Sequence, residues 1–176
     1  MAISRAVRGF VVSALLLALL DPGEAGEVRV ALRPSEGQGA GRMHGQGYID
    51  EGGRQHVFEF RVRGRGDGGE GGRFQYWVLR PDHRADRFVS SLLTRVTFPD
   101  DPPPRGHPSA EDTVVFVGTG RWNGTPGYVV EVLATDGGEP GWEWDHVTIT
   151  IRDLAGAVVS SASGVLAGGN VQSQRR

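Results

Sequence analysis

The chain has 176 residues, with 21 acidic and 19 basic side chains, a formal net charge of −2 and no cysteine. That length favours one domain, the missing cysteines exclude a disulfide-stapled or Cys-ligated zinc scaffold, and the near-neutral balance argues against a nucleic-acid binder, which would carry a basic face. Every basic residue is Arg; with abundant Gly, Ala and Val this reads as the imprint of a GC-rich genome, not as Arg-mediated recognition.

Residues 1–25 read as a signal peptide. Arg5 and Arg8 precede the apolar run FVVSALLLALL, Asp21 and Pro22 end it, and Gly23 and Ala25 set small residues for cleavage between Ala25 and Gly26. The run falls short of the about 20 apolar residues a membrane span takes, so the expectation is a secreted, extracellular product with no membrane insertion after cleavage. Without Cys there is no lipoprotein attachment site, and the tail 173–176 within GNVQSQRR carries no apolar anchor. Residues 26–45 hold one β-like run, EVRVALR, then PSEGQGAGRMHG, and read as a flexible lead-in.

From 46 to 172 period-two alternation dominates, the pattern a sheet with one buried face writes into sequence. In HVFEFRVRG, Phe58, Phe60 and Val62 share one face; in RFQYWVLR, Phe74, Tyr76 and Val78 oppose Gln75, Trp77 and Leu79. Tyr128, Val130, Val132 and Ala134 oppose Val129, Glu131 and Leu133, and Val147, Ile149 and Ile151 oppose Thr148 and Thr150. This predicts eight strands, near 46–50, 54–63, 72–80, 86–98, 113–121, 126–135, 145–152 and 158–171. The links EGG, GRGDGGEGG, NGTP, GGEPGW and LAG are short or Gly-rich, so the fold class is all-β, a single antiparallel meander. Closure into a barrel removes both exposed edges and is the preferred architecture, with a two-sheet β-sandwich as the alternative.

The order of these segments resembles the post-COAP domain family of bacterial secreted proteins. The residues that carry the resemblance are GQGYID, FEFRV, GGRFQYWVLRPDH, FVSSLLTRV, FVGTGRWNGTPGYVVEVLATDGGEPGWEWDHVTITI and SGVLAGGNV, spanning about Gly45 to Val171. Its most specific part is NGTPGY followed by TDGGEPG; an inserted GDGGE and the longer loop PDDPPPRGHPSAED depart from the pattern. The resemblance implies an extracellular β-domain, found alone or beside other modules, and carries no established activity.

The segment TDGGEPGWEWD concentrates the candidate chemistry. Asp136, Glu139 and Asp145 are candidate calcium ligands, calcium being the one cofactor considered, but their spacing is not that of an EF-hand loop. The preferred reading is structural: Asp136, Gly137, Gly138 and Gly141 form a hairpin corner, as Asn123, Gly124 and Gly127 do in NGTPGY. Trp142 and Trp144, with Glu139, are candidates to stack on a sugar ring or hold a partner. The competing expectation has Trp144 packing on the sheet and Trp142 capping the barrel mouth.

In a meander the loops 64–71, 99–112 and 136–144 share one end, opposite Trp122 and Asn123. His44, His56, His83, His107 and His146 form no paired motif, and Ser90, Ser91, Ser160 and Ser161 lie in strands and not on an exposed elbow. Carboxylate pairs drawn from Asp67, Glu70, Glu111, Asp112, Glu139, Glu143 and Asp145 lack a recognisable catalytic constellation, so no catalytic residue is assigned. The sequence therefore predicts a non-catalytic extracellular binding or structural interaction module whose partner is an extracellular protein or a surface glycan. A protein-interaction surface would gather Trp77, Val129 and Leu133 into one outer patch. The alternative is a carbohydrate or small-ligand module using the long-loop end, calcium-assisted or not, and a hydrolase acting through Glu139 and Asp145 ranks last.

Overall fold

The computed structural model describes residues 40–64, 69–99 and 112–174. The predicted signal peptide, the predicted lead-in up to residue 39, residues 65–68 and 100–111 with Asp67, His107 and Glu111, and residues 175–176 lie outside them. Nine strands follow one another: β1 Gly41–Glu51, β2 Arg54–Gly64, β3 Gly71–Leu79, β4 Ala85–Thr97, β5 Asp112–Trp122, β6 Thr125–Asp136, β7 His146–Arg152, β8 Val158–Val165 and β9 Gly168–Gln174. All nine belong to one sheet in the order β8-β7-β6-β5-β4-β3-β2-β1-β9, every neighbour antiparallel. The sheet is a strongly curled half-barrel, and the described residues form no helix. A single sheet replaces the two-sheet sandwich considered from sequence.

The alternation places the faces as expected. Phe58, Phe60, Val62, Phe74, Tyr76, Val78, Val130, Val132, Ala134, Val147, Ile149 and Ile151 are all buried on the concave side. Curling brings distant strands into contact through rings: Phe116 of β5 meets Phe60 of β2 at 5.4 Å and Phe74 of β3 at 5.6 Å between centroids. Each such fully buried apolar side chain stabilises by about 1.5–3 kcal/mol, so a core of this size stands without disulfides.

Two boundaries differ from the sequence expectation. β1 begins at Gly41, so the last residues of the predicted lead-in are strand. Gly45, which reads as loop, is a packing residue: a Cβ there would lie 2.6 Å from the Phe60 ring and 3.0 Å from Val171 Cγ2. The predicted eighth strand, 158–171, is two strands. At Leu166 and Ala167 the chain leaves β7 for β1: Leu166 N–H donates to the Asp145 carbonyl and Ala167 N–H to that of Tyr48, at 3.0 and 2.9 Å.

Both two-residue hairpins use left-handed pairs. Gly52 and Gly53 link β1 to β2 with φ of 59° and 73°; Asn123 and Gly124 link β5 to β6 with 51° and 83°. Two positive φ values in succession make the turn whose twist matches the flanking strands. β4 is irregular, with register shifts at Ser90/Leu92 and Leu93/Arg95 that leave Leu92 exposed.

Candidate functional site

The corner from Asp136 to Asp145 brings its three acids together, and it brings them onto β9. Asp145 is completely buried; its Oδ1 accepts the Gly137 N–H at 2.9 Å and its Oδ2 the Val171 N–H at 2.6 Å. Asp136 Oδ1 accepts the Gly138 N–H at 3.2 Å and Oδ2 the Ser173 N–H at 2.8 Å. Glu139 takes amide donors from Asn170, at 3.1 and 3.3 Å, and from Gln172 at 2.8 Å. Asp112 at the start of β5 bonds the Ser173 hydroxyl. Val171 and Ser173 are two apart, so their N–H groups point from the same edge of β9. Carboxylates thus complete an edge that backbone carbonyls would complete in an ordinary ladder.

The structural reading of the corner accounts for this occupation. Each oxygen of Asp136 and Asp145 already accepts an N–H, and among the described residues no three His, Asp or Glu side chains are grouped to hold a metal. Gly137 and Gly141 permit close approach: a Cβ on Gly137 would strike the Trp144 carbonyl, and one on Gly141 both Asn170 Oδ1 and Asp145 Oδ2. Gly138 supplies a φ of 119°. Burial pushes the Asp145 carboxyl above the ordinary carboxylate range, the neighbouring Asp136 and Glu139 charges adding to burial against the two N–H bonds. The hydrogen bonds from Gln172 and then Asn170 hold exposed Glu139 below that range.

The tryptophans are where the sequence expectation fails. Trp142 and Trp144 are 48% and 63% exposed, so neither packs on the sheet or caps the interior. The reason is local: the Trp144 and Asp145 N–H groups bond back to the Gly141 carbonyl, a turn that carries the indoles outward and turns Asp145 in.

At the opposite end Asn123 is a docking point as well as a turn. Its backbone N–H donates to the Arg87 carbonyl and its Oδ1 accepts the Arg87 N–H, both at 2.8 Å, while Nδ2 donates to Asp86 at 2.9 Å. Inside the curl, the Tyr76 hydroxyl joins His56 Nδ1 of β2 at 2.6 Å and Ser160 Oγ of β8 at 3.0 Å. Burial holds His56 below the usual imidazole value and pushes Tyr76 up to about 12. His56 is 4% exposed and Tyr76 0%, and this hydroxyl chain tethers β8 to β2 and β3.

The outer face holds the grooves, which the sequence reading missed. Trp77 lies between Val57 of β2 and Arg87 of β4, with the Arg87 guanidinium 5.5 Å from its ring centroid. Val129 and Leu133 lie on β6, three strands away in the sheet order, so the expected single apolar patch is not formed. Tyr48, Val57 and Trp77 instead make one cross-strand row and line a groove of about 350 Å³ with Gly47, Gly168 and Gly169. A second groove of about 300 Å³ takes in His44, Gln46, Glu59, Arg61, Asn170 and Gln172, and a third of about 750 Å³ lies at the β1–β2–β3 end. The signal for this surface in the sequence is the other half of each alternation, the outward residues, whose grouping depends on register. No family model, curated protein or solved structure matches the chain.

Proposed function

We propose that the chain is a secreted, non-catalytic binding module whose ligand, a glycan, lies on the outer face of β9, β1, β2 and β3. The observation that carries this reading is the division of labour between faces. The concave side is filled by Phe58, Phe60, Phe74, Tyr76, Phe88 and Phe116, and the acids of the Asp136–Asp145 corner are engaged with β9, while three adjoining grooves, lined between them by aromatic, amide and basic side chains, lie outside. Aromatic faces beside a few polar groups are the make-up of a sugar site.

The scaffold in this reading is a nearly closed barrel. β8 and β9 end the sheet on opposite sides yet are joined through Leu166 and Ala167, and the corner's carboxylates span to β9. Closure removes the open edges and gives the outer face a rigid backing. Membership of the post-COAP domain family, export through residues 1–25 and extracellular location belong to the same proposal; they rest on the sequence motifs.

Thermal unfolding with a panel of soluble glycans tests it. Binding at a hundredfold excess over Kd adds about 2.7 kcal/mol, several degrees in Tm. The shift is expected to vanish in Trp77→Ala and to persist in Trp142→Ala. Release of reducing ends from any panel member, or a shift abolished by Trp142→Ala alone, overturns the reading.

A further inference from the structure

The third groove carries an arrangement that folding alone does not favour. On the outward side of β1 and β2, Arg42 stands directly opposite Arg63 and His44 opposite Arg61; Arg61 in turn stands opposite Arg73 of β3. Directly opposed side chains on an antiparallel sheet have Cβ atoms about 4.5–5.5 Å apart, and like charges there destabilise the pairing. Arg73 alone among these forms an ion pair, with Glu59 at 2.7 Å, and both partners are largely exposed, so that pair is weak and readily exchanged. Arg42, Arg61 and Arg63 have no carboxylate partner among the described residues. Four guanidiniums and an imidazole thus line one groove of about 750 Å³ in a chain of net charge −2. Like charges opposed without compensation among the described residues are what a surface kept for function carries.

The neighbouring grooves say what the surface fits. The basic groove shares His44 and Arg61 with the second, and the second shares Gln46 and Glu59 with the aromatic one. The three form one track along β1 from Arg42 to Tyr48, about 20 Å at the rise of an antiparallel strand. Guanidiniums at one end take carboxylate or sulfate groups in paired hydrogen bonds. The Gln46 amide in the middle suits hydroxyls, the Asn170 and Gln172 amides being engaged with Glu139, and Tyr48 and Trp77 at the far end suit the apolar face of a sugar ring. We propose that this track binds an acidic polysaccharide, its acid groups held by Arg42, Arg61, Arg63 and Arg73. The inference rests on the reading of the chain as a glycan-binding module and assigns the ligand's charge.

Polygalacturonate is the probe, with neutral dextran and duplex DNA as comparison arms, titrated into the full chain at two salt concentrations. Polygalacturonate is expected to bind, more weakly at high salt, and Arg61→Glu and Arg63→Glu are each expected to lose about tenfold or more in affinity, the size of a charge-assisted hydrogen bond. Their Tm values are expected to stay level or rise, because each converts a like-charge pair into an opposite one. Arg61→Gln, which only removes the charge, should lose affinity to a smaller extent. Dextran binding without polygalacturonate binding overturns the acidic assignment and leaves the glycan module standing. DNA binding of equal affinity with the same Arg dependence, or wild-type affinity in both Glu variants, overturns it as well.

Discussion

Asp145 Oδ2 accepts the Val171 backbone N–H at 2.6 Å across a separation of 26 residues, from a side chain with no exposed surface. A carboxylate here does what a neighbouring strand's carbonyl would do, because β9 has the Asp136–Asp145 corner, not a strand, on that side. Asp145→Ala removes the acceptor of two N–H groups, Val171 and Gly137. At about 1–3 kcal/mol for each buried unsatisfied donor, the expected loss is about 2–6 kcal/mol, read as a fall in Tm of about 10 °C. Asp145→Asn is expected to cost less: one acceptor remains, and the new amide can donate to Asn170 Oδ1, which is buried without a partner and shares the space above Gly141 with Asp145 Oδ2. Calcium and EDTA are expected to leave the wild-type Tm unchanged; a calcium-dependent rise would mean the carboxylates turn from β9 to an ion.

Tyr76 sets the alkaline limit. Its pKa of about 12, against an ordinary 10.0, means the folded state keeps a proton that the unfolded chain releases. Its contribution is therefore fully present below pH 10 and lost as pH rises toward 12. Two units correspond to about 3 kcal/mol. Urea unfolding at pH 8 and pH 11 should show about half of that loss, since pH 11 lies one unit above the unfolded value, and Tyr76→Phe should flatten the difference between the two pH values. His56 acts on the acid side: with its folded pKa depressed, its contribution is present above 6.5 and lost as pH falls through the folded value. An alkaline limb unchanged in Tyr76→Phe would assign it to another group.

The faces of the strands were legible because period two needs only nearest neighbours: Phe58, Phe60 and Val62 announce their side without reference to any partner. The corner was legible as a turn for the same reason, since Gly137, Gly138 and Gly141 state their local geometry. What a carboxylate meets is not local. Asp145 finds Val171 only once the chain at Leu166 and Ala167 has moved from β7 to β1, and no spacing within TDGGEPGWEWD records that. The basic track is hidden in the same way: Arg42, Arg61, Arg63 and Arg73 come from three strands and are assembled by register, while the net charge of −2 averages them away. Trp144 misled because an aromatic beside a strand reads as core, whereas β7 begins only at His146 and the turn closed on the Gly141 carbonyl carries the indole outward.

That outward placement has its own test. With Trp142 and Trp144 about half or more exposed, Ala at either position removes little buried surface, and Tm is expected to move by less than about 1 °C. Their emission should be that of hydrated indole and readily quenched by iodide, whereas Trp122, packed against the core, should resist quenching. A destabilisation of several degrees in either variant would show that the indoles pack on the sheet after all.

Asn123 offers the sharpest local prediction because one residue serves two ends. Its φ of 51° is open to Asn at little cost and disfavoured for Ala, and its side chain bonds both the Arg87 N–H and Asp86 of β4. Asn123→Ala therefore adds backbone strain and leaves two partners unmet, an expected loss of about 2–3 kcal/mol. Asn123→Gly removes the strain but not the lost bonds, and is expected to recover about 1 kcal/mol of that loss. The difference between the two variants, measured by urea unfolding, isolates the conformational part, and the remainder is the amide clasp on β4. Equal stabilities would mean the turn adopts another geometry and the clasp alone fixes Asn123 to Arg87.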